Sequence, residues 1–383
     1  MLRVAVLSPA AELGGAERSL LTFLKAAQGK LVEARAILPR EGPLGQALTR
    51  LGVPWEVVPM PRAVRRWSRH QGNNFPVWSP PGILQGILYA ARLRKRLSSL
   101  APEVIYTNGI KSHVFGALLR SWIKGRIVWH LRDFWEGRYV GFLADVGPHA
   151  IIANSRATAK SLQERLKHPE KITVVHNAVD PEEFSPAGPL PLPDGWDRFP
   201  LRVGMVGAFA KWKGHALFFD AAGIVRKKIP QAGFFVVGGE IYDSGGEAGF
   251  ADYLKGLVHQ AGLNGRVVFT GFQVDVAPWY RVLHVVVNAS LAPEPFGRSL
   301  LEAMACGRAV VGPRGGGVPE FIQHGQNGLL YEPGNANDLG AAILALLQEP
   351  FMRQQLGAAA RATAAAHFTP EAHAKSVVQS FFT

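Results

Sequence analysis

Two glutamates eight positions apart, in Glu294-Pro-Phe-Gly-Arg-Ser-Leu-Leu-Glu302, hold the densest chemistry in the sequence. A Pro/Gly turn puts Glu294 in a loop. Gly297, Arg298 and Ser299 then open a helix whose unpaired N–H groups and dipole favour an anion. Glu302 falls one turn in, so carboxylates flank the anion and can accept hydrogen bonds from hydroxyls. A sugar nucleotide has that order of groups: hydroxyls, diphosphate, hydroxyls. Ser299-x-x-Glu302 is equally a capping box, which steadies a helix without any ligand. A second strand-to-helix mouth, Gly207-Ala-Phe-Ala-Lys-Trp-Lys-Gly-His215, carries lysines placed to neutralise a diphosphate as point charges, or simply to be solvated.

Three further segments belong to the same reading. Gly14-Gly15-Ala16-Glu17 stands between a strand and a helix, where backbone can approach a phosphate. It lacks the spaced glycines of a dinucleotide fingerprint, and no GK[ST] follows, which excludes a Walker loop. A plain tight turn would use the same residues. Gly312-Pro-Arg-Gly-Gly-Gly-Val-Pro-Glu320 offers three consecutive glycines for close approach of backbone to a ligand, with Pro319 at a helix entry. His130 closes the apolar run Ile127–His130, ahead of Leu131-Arg132-Asp133. A polar residue at the carboxyl end of a strand faces the binding crevice of an open α/β sheet, although a lone histidine is as readily structural.

Short β-rich runs alternating with helical stretches must position these groups. Strands are expected at Arg3–Ser8, Val104–Thr107, Ile127–His130, Ile151–Ala153 and Ile172–His176, with a helix at Glu17–Ala27. Residues 181–200 hold six prolines and two glycines, through which neither helix nor strand continues. Beyond them the alternation restarts, with strands at Arg202–Val206, Gly233–Val237, Arg266–Thr270, Val285–Asn288, Ala309–Gly312 and Gly328–Tyr331. Helices are expected at His215–Lys228, Tyr253–Gln260, Ser299–Ala305 and Ala336–Leu347, and Gly357–Ala366 reads as a plain terminal helix. Apolar strands separated by helices imply parallel sheets covered on both faces. The expected fold class is therefore α/β, with two doubly wound, Rossmann-like domains facing across a cleft. Residues 1–182 form the first, 183–197 a Pro-rich linker and 198–365 the second, while 366–383 form a helix returning to the first.

The chain has 383 residues and a single cysteine, Cys306, so neither a disulfide framework nor a thiolate zinc cluster is available. No run reaches the ~18 apolar residues of a membrane span, and the apolar stretch at the N-terminus is too short for a secretory signal. A cytoplasmic protein is expected. Residues 1–150 carry 21 Lys and Arg against 9 Asp and Glu, while the remainder is nearly balanced at 21 against 20. Between Arg62 and Pro102 lie eight basic residues and no acidic one. So one-sided a field attracts polyanions: nucleic acid, anionic headgroups or a phosphorylated acceptor.

Taken together, GGAE at 14–17, His130 in VWHLRD, HNAVD at 176–180, KG at 213–214, EPFGRSLLEAMACG at 294–307 and GGVPE at 316–320 resemble the retaining glycosyltransferases of family 4, which have the GT-B fold. The resemblance runs the length of the chain and is strongest from about 201 to 333. It implies that Glu294 accepts hydrogen bonds from the transferred sugar, that Glu302 holds the ribose hydroxyls, and that Lys213 binds the diphosphate. Backbone N–H groups near Phe296, Gly297 and Gly15 assist, and His130 steadies the positive charge developing on the reacting sugar. No metal and no cofactor are implied, only a nucleotide-sugar donor, with UDP the first expectation and GDP the second. In such retaining enzymes the leaving phosphate deprotonates the acceptor on the same face, so no protein nucleophile is required, unlike the retaining hydrolases. One departure stands out: Ala208 occupies the position where the family usually carries Arg, leaving Lys211, Arg298 or a residue of the first domain to replace that cation. Leu283-His284, where the family commonly has an acid, is a second departure with no physical account.

The implied function is hexosyl transfer to a glycan, a lipid-linked or another hydroxyl acceptor. An epimerase or synthase on the same fold is the close competitor. A basic nucleic-acid-binding protein is the reading from another class; no recognised binding module supports it. Pro61–Gly82 mixes four Arg with two Trp and a Phe, a composition suited to an anionic membrane surface that presents the acceptor.

Overall fold

A computed structural model describes residues 1–66, 80–135, 137, 140–239 and 249–383. The chain divides into two compact units: Met1–Ala178 with Pro370–Thr383, and Val179–Thr369.

In the first unit the strands are β1 (Leu2–Leu7), β2 (Val32–Leu38), β3 (Trp55–Val57), β4 (Val104–Thr107), β5 (Arg126–Leu131), β6 (Ala150–Ala153) and β7 (Ile172–Val174). They pair in parallel in the order β3-β2-β1-β4-β5-β6-β7. Helices α1 (Gly15–Ala27), α2 (Pro43–Arg50), α3 (Arg62–Arg66), α4 (Pro80–Leu100), α5 (Ile110–Leu119), α6 (Val140–Val146) and α7 (Arg156–Gln163) make the crossovers. Strand β6, Ala-Ile-Ile-Ala, is buried along its whole length because both faces of the sheet are covered. One face packs Leu20, Phe23 and Leu24 of α1; the other packs Tyr89, Leu93 and Leu97 of α4.

The second unit repeats the plan with β8 (Leu201–Val206), β9 (Ala232–Val237), β10 (Val267–Phe269), β11 (Val285–Val287), β12 (Ala309–Pro313) and β13 (Leu329–Tyr331), all parallel, in the order β10-β9-β8-β11-β12-β13. Its helices are α8 (His215–Lys228), α9 (Phe250–Gln260), α10 (Ala277–Val282), α11 (Arg298–Ala305), α12 (Ala336–Gln348) and α13 (Pro350–His367), and α14 (Pro370–Gln379) then belongs to the first unit. Each sheet has a point where the winding reverses, between β1 and β4 in one and β8 and β11 in the other. Ligands of open α/β sheets bind in the crevice beyond the carboxyl ends of such strands.

The expected domain limits need correction. The division falls at 178/179, and the Pro-rich stretch is part of the second unit rather than a linker. Proline blocks regular structure there, yet aromatic anchors fasten the segment. Phe184 packs on Tyr280 with ring centroids 6.1 Å apart, Trp196 lies 4.9 Å from Phe235, and Arg281 Nε donates to the Ser185 carbonyl at 2.8 Å. Gly357–Ala366 is not terminal either: it lies inside α13, against α11 and β12 of the second unit. The segment returning to the first unit begins at Pro370 rather than 366. There Ala374, Val377 and Phe381 join the core against α1.

Candidate active site

The loops after β8 and β11 flank the switch point of the second unit, and the two most specific sequence signals meet on them. Lys213 ends a short 3-10 turn, Lys211–Lys213, which Gly214 closes in the left-handed region at φ 72°. A Cβ at Gly214 would stand 1.8 Å from the Ala289 carbonyl oxygen, so only glycine lets the two loops touch. The Leu291 N–H donates to the Trp212 carbonyl at 2.8 Å and completes the joint.

Lys213 Nζ donates to Glu294 Oε1 at 2.5 Å and lies over the Trp212 ring, 4.0 Å from its centroid. The same carboxylate oxygen accepts from Ser290 Oγ at 2.5 Å and Asn288 Nδ2 at 3.1 Å. Three donors converge on one oxygen of a side chain that is 7% exposed. Burial alone would raise the pKa of Glu294. The Lys213 charge and the hydrogen bonds from Lys213, Ser290 and Asn288 outweigh it, and hold the carboxyl below its ordinary value.

Two residues of the triple glycine pack on the loop that carries the acid. Gly316, at φ 62°, packs against the backbone of Glu294, where a Cβ would lie 2.2 Å from the carbonyl oxygen. The Gly317 N–H donates to that carbonyl at 2.9 Å. These glycines therefore hold the loop that carries the acid.

Glu302 has a partner set of its own. Its Oε2 accepts from Tyr280 Oη at 2.8 Å and its Oε1 from Arg298 Nη2 at 2.5 Å. The capping box does not form, because Gly297, at φ 98°, is the N-cap and Ser299 makes no side-chain cap bond. With Ser299 two positions past the N-cap, Glu302 bonds Arg298 and Tyr280 instead. Arg298 Nη1 is buried with no hydrogen-bond partner among the described residues. The Phe296 side chain belongs to the core, stacked on Phe321 with centroids 4.9 Å apart.

In the first unit Gly15 is exposed in the first turn of α1, and a Cβ there would meet nothing within 4 Å. His130 departs from expectation: it is wholly buried in β5 rather than open to a crevice. Its Nδ1 faces Tyr106 Oη at 2.5 Å, and Arg132 Nη2 donates to the same hydroxyl at 3.0 Å. Arginine only donates, so the tyrosine hydroxyl passes its own proton toward His130 Nδ1. Burial, then the charge of Arg132, drives the imidazole pKa well down. A neutral ring with its proton on Nε2 results, and Nε2 has no hydrogen-bond partner among the described residues.

Arg132 organises this end of the sheet. It donates through Nε to Asn108 Oδ1 at 2.6 Å and through Nη1 to Asn177 Oδ1 at 3.0 Å, and it also bonds Ser19 Oγ. Asn177 is the asparagine of HNAVD, and Ser19 Oγ donates to it at 2.7 Å. Glu17 of GGAE is fully buried nearby. Burial pushes its pKa up to about 7, against lowering by its own and the Gly14 backbone N–H and by Arg132.

The residues that sequence reading missed are Asn288, Ser290, Tyr280, Asn108 and Ser19. Asn288 and Ser290 left a signal, since an all-valine strand breaks abruptly into Asn-Ala-Ser. Tyr280 and Ser19 lie on helices with nothing local to mark them.

Two parallel α/β units, with polar clusters at the switch point of each sheet, define the GT-B class of glycosyltransferase fold. Residues 13–183 match the family model described as Glycosyltransferase Family 4, and residues 200–349 the model described as Glycosyl transferases group 1. The chain belongs to the family 4 glycosyltransferases. It is 31% identical over 224 residues to the D-inositol 3-phosphate glycosyltransferase of Arthrobacter sp. (strain FB24), a match covering 56% of this chain and 51% of that protein. It is 36% identical over 115 residues to the N-acetyl-alpha-D-glucosaminyl L-malate synthase of Bacillus anthracis, covering 30% of each. The chain thus spans about half the length of the first of these relatives and under a third of the second. Among solved structures, Anabaena HepE in complex with UDP and glucose superposes with a TM-score of 0.85 at 24% identity, over 99% of both chains.

Proposed function

We propose that the protein is a retaining glycosyltransferase that moves a hexose from a nucleotide sugar, UDP first and GDP second, to a hydroxyl acceptor. The observation that carries this reading is the buried Lys213–Glu294 pair at the β8/β11 switch point, one loop away from Arg298–Glu302. Lys213 exchanges its carboxylate partner for the diphosphate when donor binds, which frees Glu294 to accept from the sugar hydroxyls. Glu302 takes the ribose hydroxyls. The unpartnered Arg298 Nη1 supports a role for Arg298 as the second diphosphate cation in place of the arginine that Ala208 lacks. Backbone N–H groups at the N-terminus of α11, including those of Gly297 and Ser299, add to the anion site. His130, neutral, contributes a fixed dipole rather than a charge.

In the reaction the bond from the anomeric carbon to the phosphate oxygen breaks as the acceptor oxygen bonds on the same face. The acceptor proton passes to the leaving phosphate. Catalysis on this reading is positioning and electrostatic stabilisation of that phosphate, without a metal or a protein nucleophile. UDP is favoured because HepE, of the same fold, was solved with it. The basic first unit favours an acceptor that carries phosphate or sits on an anionic surface, and an inositol phosphate is the acceptor named for one relative.

Thermal unfolding of wild type and Glu302→Ala with UDP, GDP, ADP and dTDP and their common sugars tests this. A ligand at 100 times its Kd adds about 2.7 kcal/mol. Stabilisation of wild type by one base class and not of the variant is expected. No response to any of the four would overturn the reading.

A further inference from the structure

Helix α4 is amphipathic the wrong way for a helix that merely covers a sheet. Its inner face, Tyr89, Leu93 and Leu97, is buried in the core of the first unit. Its outer face begins with Ile83, Leu84, Ile87 and Leu88, each between 40% and 59% exposed. At helical spacing these four form one solvent-facing stripe. One turn further along the same face come Arg92, Arg94 and Lys95, all exposed and without an ion-pair partner among the described residues. Arg94 lies over the ring of Trp122, just beyond α5, with its guanidinium 5.7 Å from the centroid; Trp122 is 60% exposed. Neither α4 nor the stretch from Ile110 to Lys124 contains an acidic residue.

We infer that the outer face of α4, together with Trp122, docks the first unit on an anionic lipid surface. The inference rests on the acceptor reading above and gives it a place. Apolar side chains followed by cations, with a tryptophan beside them, match the layers of a bilayer surface: acyl chains, then phosphates, with indole at the boundary. Because α4 is a crossover between parallel strands, it runs antiparallel to them. Its apolar end therefore lies toward the carboxyl ends of β4 and β5, where Asn108 and Arg132 stand. A lipid-linked acceptor held in that surface would meet the sheet at its ligand-binding end. Trp67, Phe75 and Trp78 of the stretch singled out in the sequence lie outside the described residues, and the inference does not use them.

Co-sedimentation of the full chain with phosphatidylcholine vesicles, with and without phosphatidylglycerol, reads the surface. Recovery with the anionic vesicles alone is expected. Each cation removed should weaken binding by about fivefold at low salt, so Arg94→Glu with Lys95→Glu loses at least ~25-fold. Ile87→Ser with Leu88→Ser should abolish the part of the binding that survives high salt. Brominated lipid should quench tryptophan emission in wild type more than in Trp122→Phe. All three variants alter exposed side chains, and the UDP-induced thermal shift of each checks that the fold and donor site are intact. Equal recovery with both lipids, or binding unchanged in the first two variants, would overturn the docking surface. So would binding to a random oligonucleotide but not to vesicles. An intact UDP response beside absent lipid binding would leave the transferase reading standing; lipid binding without any nucleotide response would do the reverse.

Discussion

Replacing Lys213 by Met isolates the pair at the centre of the site. Glu294 would keep the hydrogen bonds from Ser290 and Asn288 but lose its only opposite charge among the described residues, in a setting where its side chain is 7% and that of Lys213 19% exposed. Breaking a buried pair by removing one partner costs about 3–5 kcal/mol, and the two surviving bonds argue for the lower end. Glu294→Gln should cost about 2 kcal/mol, since the ammonium then loses its carboxylate. With both changes no lone charge remains, so the double variant should be at least as stable as Lys213→Met alone, a coupling of about 2 kcal/mol or more. At this unit size that coupling amounts to roughly 4–8 °C in Tm.

The pH dependence adds a sign. In wild type the carboxyl is held below its ordinary value. Its contribution is full above the unfolded carboxylate pKa and is lost as pH falls through the lower folded value. In Lys213→Met only the Ser290 and Asn288 hydrogen bonds still oppose burial, so the carboxyl titrates higher than in wild type and that variant loses less stability as pH falls. The gap between the two proteins should be widest near neutrality and narrow toward about pH 4. Urea unfolding of the four proteins across that range is the measurement. Additive effects, or a gap independent of pH, would refute the claim that charge rather than packing ties Lys213 to Glu294.

Gly316→Ala should cost well over the ~1 kcal/mol of an alanine forced to positive φ, because its Cβ would meet the Glu294 carbonyl at 2.2 Å. Gly325→Ala, at φ 75° with open space around it, supplies the control, and equal losses in denaturant titrations would discount the packing argument. Glu17→Gln should gain on wild type as pH rises through about 7. Burial has raised that carboxyl from 4.5, so the native state binds the extra proton between those values and loses up to about 3 kcal/mol once it ionises. A constant difference from pH 5 to 8 would contradict the assignment. Asn335→Ala removes a cap that accepts from the backbone N–H of Asn337 and Asp338, and about 1 kcal/mol should go with it in thermal unfolding.

Periodicity found most of the sheet, because parallel strands buried on both faces read as unbroken apolar runs. His215–Lys228 was bounded to the residue, between Gly214 and the apolar Ile229. Strand β2, Val-Glu-Ala-Arg-Ala-Ile-Leu, escaped because charge interrupts its apolar pattern, and β3 is only three residues long. Proline density marked the neighbourhood of the division but not its place. The segment's allegiance is decided by Phe184 and Trp196, whose partners are remote in sequence. At the site, Glu294, Glu302 and Lys213 were legible because they sit in motifs. The burial of His130 was not, since it depends on Tyr106 of β4 and His373 of α14, both remote in sequence.

The route of the chain has a consequence for the order in which the protein can be made. The second unit is an insertion, and the first is closed only by residues 370–383. Phe381 is fully buried beside Tyr106 at 6.0 Å, and its carbonyl accepts from Arg126 Nε at 2.8 Å. On the ribosome, then, the half of the molecule synthesised first is completed last. The 191 residues from Val179 to Thr369 can collapse around their own sheet while the earlier half still exposes the gap that Ala374, Val377 and Phe381 will fill. A premature stop shortly before Pro370 would therefore injure the beginning of the protein and spare the middle.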